Sequence, residues 1–399
     1  MRSARTPQLF SGSALRRLRL QLRVLAGLAL LALASGCASQ PPGDSTSNQE
    51  DAVGAADGAT TPDILQNTLD PLDRQALLAI ADVRKLVAQH GPKVWPGFAV
   101  AHVPVYLVVR DAKQKSLRAY LIAPAVAPTG AALDLPELAT ALYREDHKMK
   151  LIDYWEYYVT DADIYGNSAL VIAADAAQMA APDVFRQLLV TAYFERYRQL
   201  EDKWDPVGPC SDIQYAKIPE AIALLFLENA LLHDAILSDD PKLIESRLQE
   251  WHLARTAAVA LYSMIDMKTR YRELNSGTGI YVANRLQIAA GVGSEAGLFE
   301  TYAKQLDFAV AAPIPDFNTV EFGEGWTGAV LLELSRKLKW DVAPYFHKAK
   351  TMADIVPLLL GAPAADALSA AKARYDWAYF LKRSADIVKC AEAQCTSAP

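Results

Sequence analysis

The sequence predicts an α+β fold, in which a short strand-rich region precedes a mostly helical body. Three observations carry this expectation. Within residues 93–175 there are β-branched and aromatic runs separated by polar turns, such as PVYLVVR at 104–110 and LRAYLI at 117–122. From Pro182 to about residue 390 the apolar residues recur at helical spacing instead. Strands therefore come first and helices afterwards, with no repeat of fixed period.

Residues 1–36 read as a signal peptide. Arg2, Arg5, Arg16, Arg17, Arg19 and Arg23 form a basic start, and residues 24–34 are a Leu/Ala-rich run too short for a comfortable membrane span. Leu33-Ala34-Ser35-Gly36-Cys37 resembles a bacterial lipobox, whose cysteine is acylated and becomes the first mature residue. Ala38 and Ser39 follow, with no Asp, so the resemblance implies an outer-membrane lipoprotein facing the periplasm. The expected partner is thus the membrane, reached through lipid. An envelope protein, a peptide or a glycan would be a further partner.

The whole chain has a net charge of −6. Losing a leader with six arginines and no acidic residue leaves 34 basic against 46 acidic residues, or −12. Such an acidic chain without a basic run lacks the electrostatic footprint for nucleic acid. Residues 37–62 are rich in Ser, Gly, Asp, Gln and Pro and read as a flexible tether. Residues 63–399 are expected to form one domain. Cys210, Cys390 and Cys395 remain beside Cys37. An oxidising periplasm favours a disulfide, with Cys390–Cys395 close in sequence and Cys210 with either equally open.

Within the folded part, Asp70-Pro71 marks a first helix, with Asp as N-cap and Pro at the first helical position; Gly91-Pro92 is expected to end it. Two hairpins should follow. One joins 104–110 to 117–122, and the other joins 154–160 to 168–173 through a turn at 161–167. That turn (Asp161, Asp163, Gly166) loosely resembles a calcium loop, but Ile172 stands where the twelfth-position Glu belongs, so a hairpin is the better reading. Helices are expected at 182–200, 219–237, 241–273, 280–290, 295–305, 327–338, 351–360 and 364–388. The helix at 219–237 is apolar nearly all round, the mark of a central buried helix.

Two stretches carry a resemblance to a known family. Leu188-Leu189-Val190-Thr191-Ala192-Tyr193-Phe194-Glu195-Arg196 resembles the His-Glu-x-x-His helix of gluzincin-type zinc metallopeptidases. In that pattern two imidazoles one turn apart hold the metal and the Glu between them works a water molecule. The three positions are here Thr191, Ala192 and Glu195. Asn275-Ser276-Gly277 with Tyr281 resembles the Asn-Glu-Gly element whose Glu is the third ligand, a position that Ser276 now fills. Residues 325–332 (GWTGAVLL) resemble the small-residue helix packed near such sites.

The resemblance implies a cleft lined by Asn275, Tyr281 and Trp326, emptied of its catalytic and metal-ligating residues. One carboxylate, one hydroxyl and no imidazole are a poor set for a catalytic zinc. The expectation is therefore no metal, no cofactor and no zinc hydrolysis, with the chain acting as an envelope binding or scaffold protein. An active hydrolase using a different site, or a purely structural envelope component, are the alternatives. The six histidines (His90, His102, His147, His233, His252 and His347) include no two within five residues, so no local ligand pair exists elsewhere. There is no Gly-x-Ser-x-Gly elbow, phosphate-binding loop or dinucleotide fingerprint.

Overall fold

The computed structural model describes residues 69–99, 102–111, 113, 115–129, 132–145, 158–205, 217–311 and 317–392. The architecture is α+β, a five-stranded mixed sheet set among helices. The expected signal peptide and tether with Cys37, and also Cys210 and Cys395, lie outside the described residues.

Helix α1 (Pro71–Val94) starts as its sequence dictates: the Asp70 side chain accepts from the Leu72 N–H, and Pro71 occupies the first turn, where its missing donor costs nothing. It does not stop at Gly91-Pro92 but runs on to Val94. Gly91 packs against the Phe98 carbonyl, where a Cβ would come within 2.4 Å of oxygen. A glycine was needed there for close approach, not for a stop.

Strands β1 (Val105–Arg110) and β2 (Ser116–Ile122) form the expected antiparallel hairpin. A short strand β3 (Leu142–Glu145), which the sequence reading did not isolate, pairs with β2. Strands β4 (Tyr158–Ile164) and β5 (Asn167–Asp175) make the second hairpin. Its turn is tighter than expected, because Asp161 and Asp163 belong to the strand. Only Tyr165 and Gly166 turn, both at positive φ (53° and 75°), the two-residue geometry that matches strand twist. Asp163 accepts from the Gly166 N–H at 2.8 Å, so this carboxylate is a turn brace.

The sheet order is β3-β2-β1-β5-β4, with β1 and β5 parallel at its centre. Alternate residues enter two apolar clusters. Val105, Leu107 and Val109 join the main core, while Tyr106 and Val108 join a smaller cluster on the other face.

After a one-turn helix α2 (Ala176–Met179), the helical body begins with α3 (Pro182–Arg196) and continues through a π-helical turn, Tyr197–Glu201. Helix α4 (Pro219–Leu237) is buried almost all round, as its composition predicts. The single long helix expected at 241–273 is instead α5 (Pro241–Leu261) and α6 (Met264–Arg272), broken where Tyr262 is extended. A second π turn, Glu273–Gly277, leads without a bend into α7 (Thr278–Ala289). The remaining helices are α8 (Glu295–Ala311), α9 (Phe317–Lys337), the one-turn α10 (Ala343–Phe346), α11 (Met352–Leu360), α12 (Ala367–Arg374) and α13 (Trp377–Glu392). No helix among the described residues is long and apolar enough to cross a membrane.

Candidate functional site

The three stretches singled out in the sequence meet in space. Helix α3 packs on α7, and α9 packs on both α7 and the π turn before it. Glycines set the distances. A Cβ on Gly279 would stand 2.7 Å from the Thr191 methyl, and one on Gly328 would stand 2.7 Å from the Glu273 Cα. A Cβ on Gly277 would meet the Gly328 Cα at 2.7 Å. The segment 273–279 is thus held between α3 and α9 by near-backbone contact.

Within this seam the motif positions diverge. Thr191, half-buried, ends against Gly279 of α7. Ala192 is fully buried in the core. The Glu195 carboxylate turns along its own helix to Arg198, which holds it through both Nε (3.2 Å) and Nη2, while the Gln199 amide donates to it as well. Ser276 is buried beside Gly325 of α9, where a Cβ on residue 325 would lie 3.3 Å from the Ser276 Cβ. Its hydroxyl makes no hydrogen bond, and neither does the buried Asn275 Oδ1.

Metal-ligand chemistry needs its donors about 2.0–2.3 Å from one point. Thr191, Glu195 and Ser276 address three different neighbours instead, and Glu195 already has a cation in Arg198. The residues present do not fit a zinc ion. Among the described residues no group of three His, Cys, Asp or Glu side chains is placed to hold a metal.

The expected cleft residues are also packed away. Tyr281 and Trp326 are 8% and 4% exposed. Tyr281 stands edge-on to Trp95 at 6.5 Å, in an aromatic cluster with Phe194, Trp204 and Phe346, and Trp326 stands edge-on to Tyr302 at 6.0 Å. These rings fill core rather than line a groove. Burial pushes the Tyr281 hydroxyl up from its ordinary pKa. Cys390 is buried on α13, and its proposed partner lies beyond the described residues.

Sequence reasoning missed Arg198, Gln199 and Tyr271. Arg198 sits three residues after Glu195, a helical ion-pair spacing that was legible. Tyr271 is raised chiefly by burial and also by the Glu195 charge, while the Asn275 amide pulls it down. Both π turns flank this polar group, and such turns are frequent at functional sites.

Behind the seam lies a second buried network that sequence reasoning also missed. Arg255 of α5 donates to Glu228 of α4 at 3.0, 3.0 and 2.7 Å, and to Glu273 Oε1 of the π turn at 2.8 Å. All three residues are buried, with Arg255 over the Trp251 ring. Glu273 Oε2 has no hydrogen-bond partner. An acid following the apolar run 221–227 of α4, Glu228, was the available signal.

No protein-family model matches this chain, no curated protein matches it, and no solved structure matches it.

Proposed function

We propose that this protein is a lipid-anchored envelope component built on a metallopeptidase-like helical arrangement that has lost its chemistry, and that it works by binding or scaffolding rather than hydrolysis. The observation that carries the reading is the meeting of the two motif helices. Thr191, at the first His position, touches Gly279, one turn beyond Ser276 at the third-ligand position. A chance similarity in two separate stretches gives no reason for them to be neighbours. Where a peptidase would keep an open coordination position and a water-activating base, this chain has an Arg198–Glu195 pair and the apolar Ala192. The lipobox at Cys37 supplies the envelope address.

The test is elemental analysis of the full chain purified without chelator or affinity metal, beside a protease assay on an unfolded protein substrate. The expected result is no stoichiometric transition metal and no cleavage. One metal per chain, lost in Thr191→Ala/Glu195→Ala, would overturn the reading.

A further inference from the structure

The metal ligands are absent from the sequence, which leaves open whether only side chains were lost or the space was lost with them. We infer that helix packing has closed the space between positions 191, 195 and 276, so that restoring ligand side chains will not restore a metal site. This inference rests on the metallopeptidase-like reading above.

Three observations support it. First, position 191 has no depth. The Thr191 methyl, Oγ1 and Cβ stand 2.7, 3.3 and 3.4 Å from the point that a Cβ on residue 279 would occupy. An imidazole at 191 extends about two bonds further than a threonine, and along the direction of the Thr191 methyl it would meet the backbone of α7.

Second, α7 cannot retreat to make room. Its leading π turn is backed by α9, with Gly277 and Gly328 so close that a Cβ on either would fall within 3.0 Å of backbone. Interiors packed to this density take up added atoms by strain rather than by yielding.

Third, the supporting positions do not converge. Ala192 is fully buried, so a base placed there would be a carboxylate in apolar core. Ser276 is lodged against Gly325 of α9, while Glu195 is drawn along its own helix to Arg198 and Gln199. A metal ion would need all three side chains to abandon these contacts together.

The experiment grafts the ligands back into the full chain as Thr191→His, Ala192→Glu, Glu195→His and Ser276→Glu, and measures zinc uptake by equilibrium dialysis against zinc chloride alone. The expected result is no zinc beyond that of the unmodified chain. One zinc per chain, bound at micromolar concentration or tighter, would overturn the inference. Because the quadruple graft can fail to fold, Thr191→His is made alone and its melting temperature compared with Thr191→Ser. Thr191→His should melt at least about 1.5 °C lower, the low end of an overpacking penalty in a chain of this size. A Thr191→His chain as stable as Thr191→Ser would show that the space exists and overturn the inference even if the graft does not fold. Metal in the unmodified chain is a separate outcome: it defeats the proposed function, whatever the grafts do.

Discussion

Replacing Glu273 with Gln should make the protein less sensitive to alkali. Arg255 is shared unequally between two buried carboxylates. It gives Glu228 three hydrogen bonds and Glu273 one, leaving Glu273 Oε2 without a partner. Burial raises the pKa of Glu273 above the ordinary 4.5, against the pull of Arg255 and Arg270, and Asp266 pushes the same way as burial. Between the unfolded value and the raised folded value, the native state holds a proton that the unfolded state has released. Stability from this group is therefore fully present below about pH 4.5 and is lost as pH rises through the folded value. Each tenfold difference in proton affinity between the two states is worth about 1.4 kcal/mol.

A glutamine cannot titrate, yet its carbonyl can still accept from Arg255. Urea denaturation at pH 5 and pH 8 gives the comparison. At pH 5 the wild-type carboxyl keeps more of the stability that its raised pKa supplies, so the variant should gain least there. At pH 8 it should have gained on wild type relative to pH 5. Refutation would be a gap that does not change between the two pH values, or one that widens against the variant at pH 8. Either would mean that attraction to Arg255 outweighs burial and keeps Glu273 ionised at little cost.

The helix seam, a separate ion network around Glu333 and the proposed lipid anchor give further predictions. Gly279→Ala should destabilise by up to about 2 kcal/mol, the overpacking cost reduced by alanine's helix preference, and Thr191→Ala should rescue it in a double-mutant cycle; additive effects would mean that the two helices are not in contact. Gly328→Ala should cost more, with no such rescue, because its Cβ would meet Glu273 backbone rather than a side-chain methyl. Glu333 is fully buried between Arg285 and Arg336, and Glu333→Ala should cost about 3–5 kcal/mol in urea denaturation, whereas Glu295→Ala at the half-exposed end of the same network should cost less than about 1 kcal/mol. Cys37→Ser should abolish palmitate labelling and release the protein from the membrane fraction; continued labelling would remove the lipobox reading.

Much of the fold was legible because its signals are local. Pro71, Pro182, Pro219 and Pro241 each stand in the first turn of a helix, and Asp70 and Asp240 cap the helices they precede. The burial of α4 followed from its composition alone. What misled was the reading of glycine as punctuation. Gly91 lies inside α1, where it serves close approach to the Phe98 carbonyl rather than a stop.

The sequence by itself determined the α+β class, most helix starts and the absence of any imidazole at positions 191, 195 and 276, since each depends on residue type and short-range spacing. Only the tertiary structure decided that β1 and β5 pair in parallel, that Tyr281 and Trp326 face core, and that one arginine serves two buried acids. Where a side chain points depends on helix azimuth and on neighbours far away in the chain. Glu228 and Glu273 are 45 residues apart, and they meet at Arg255 only because α4, α5 and the second π turn pack together.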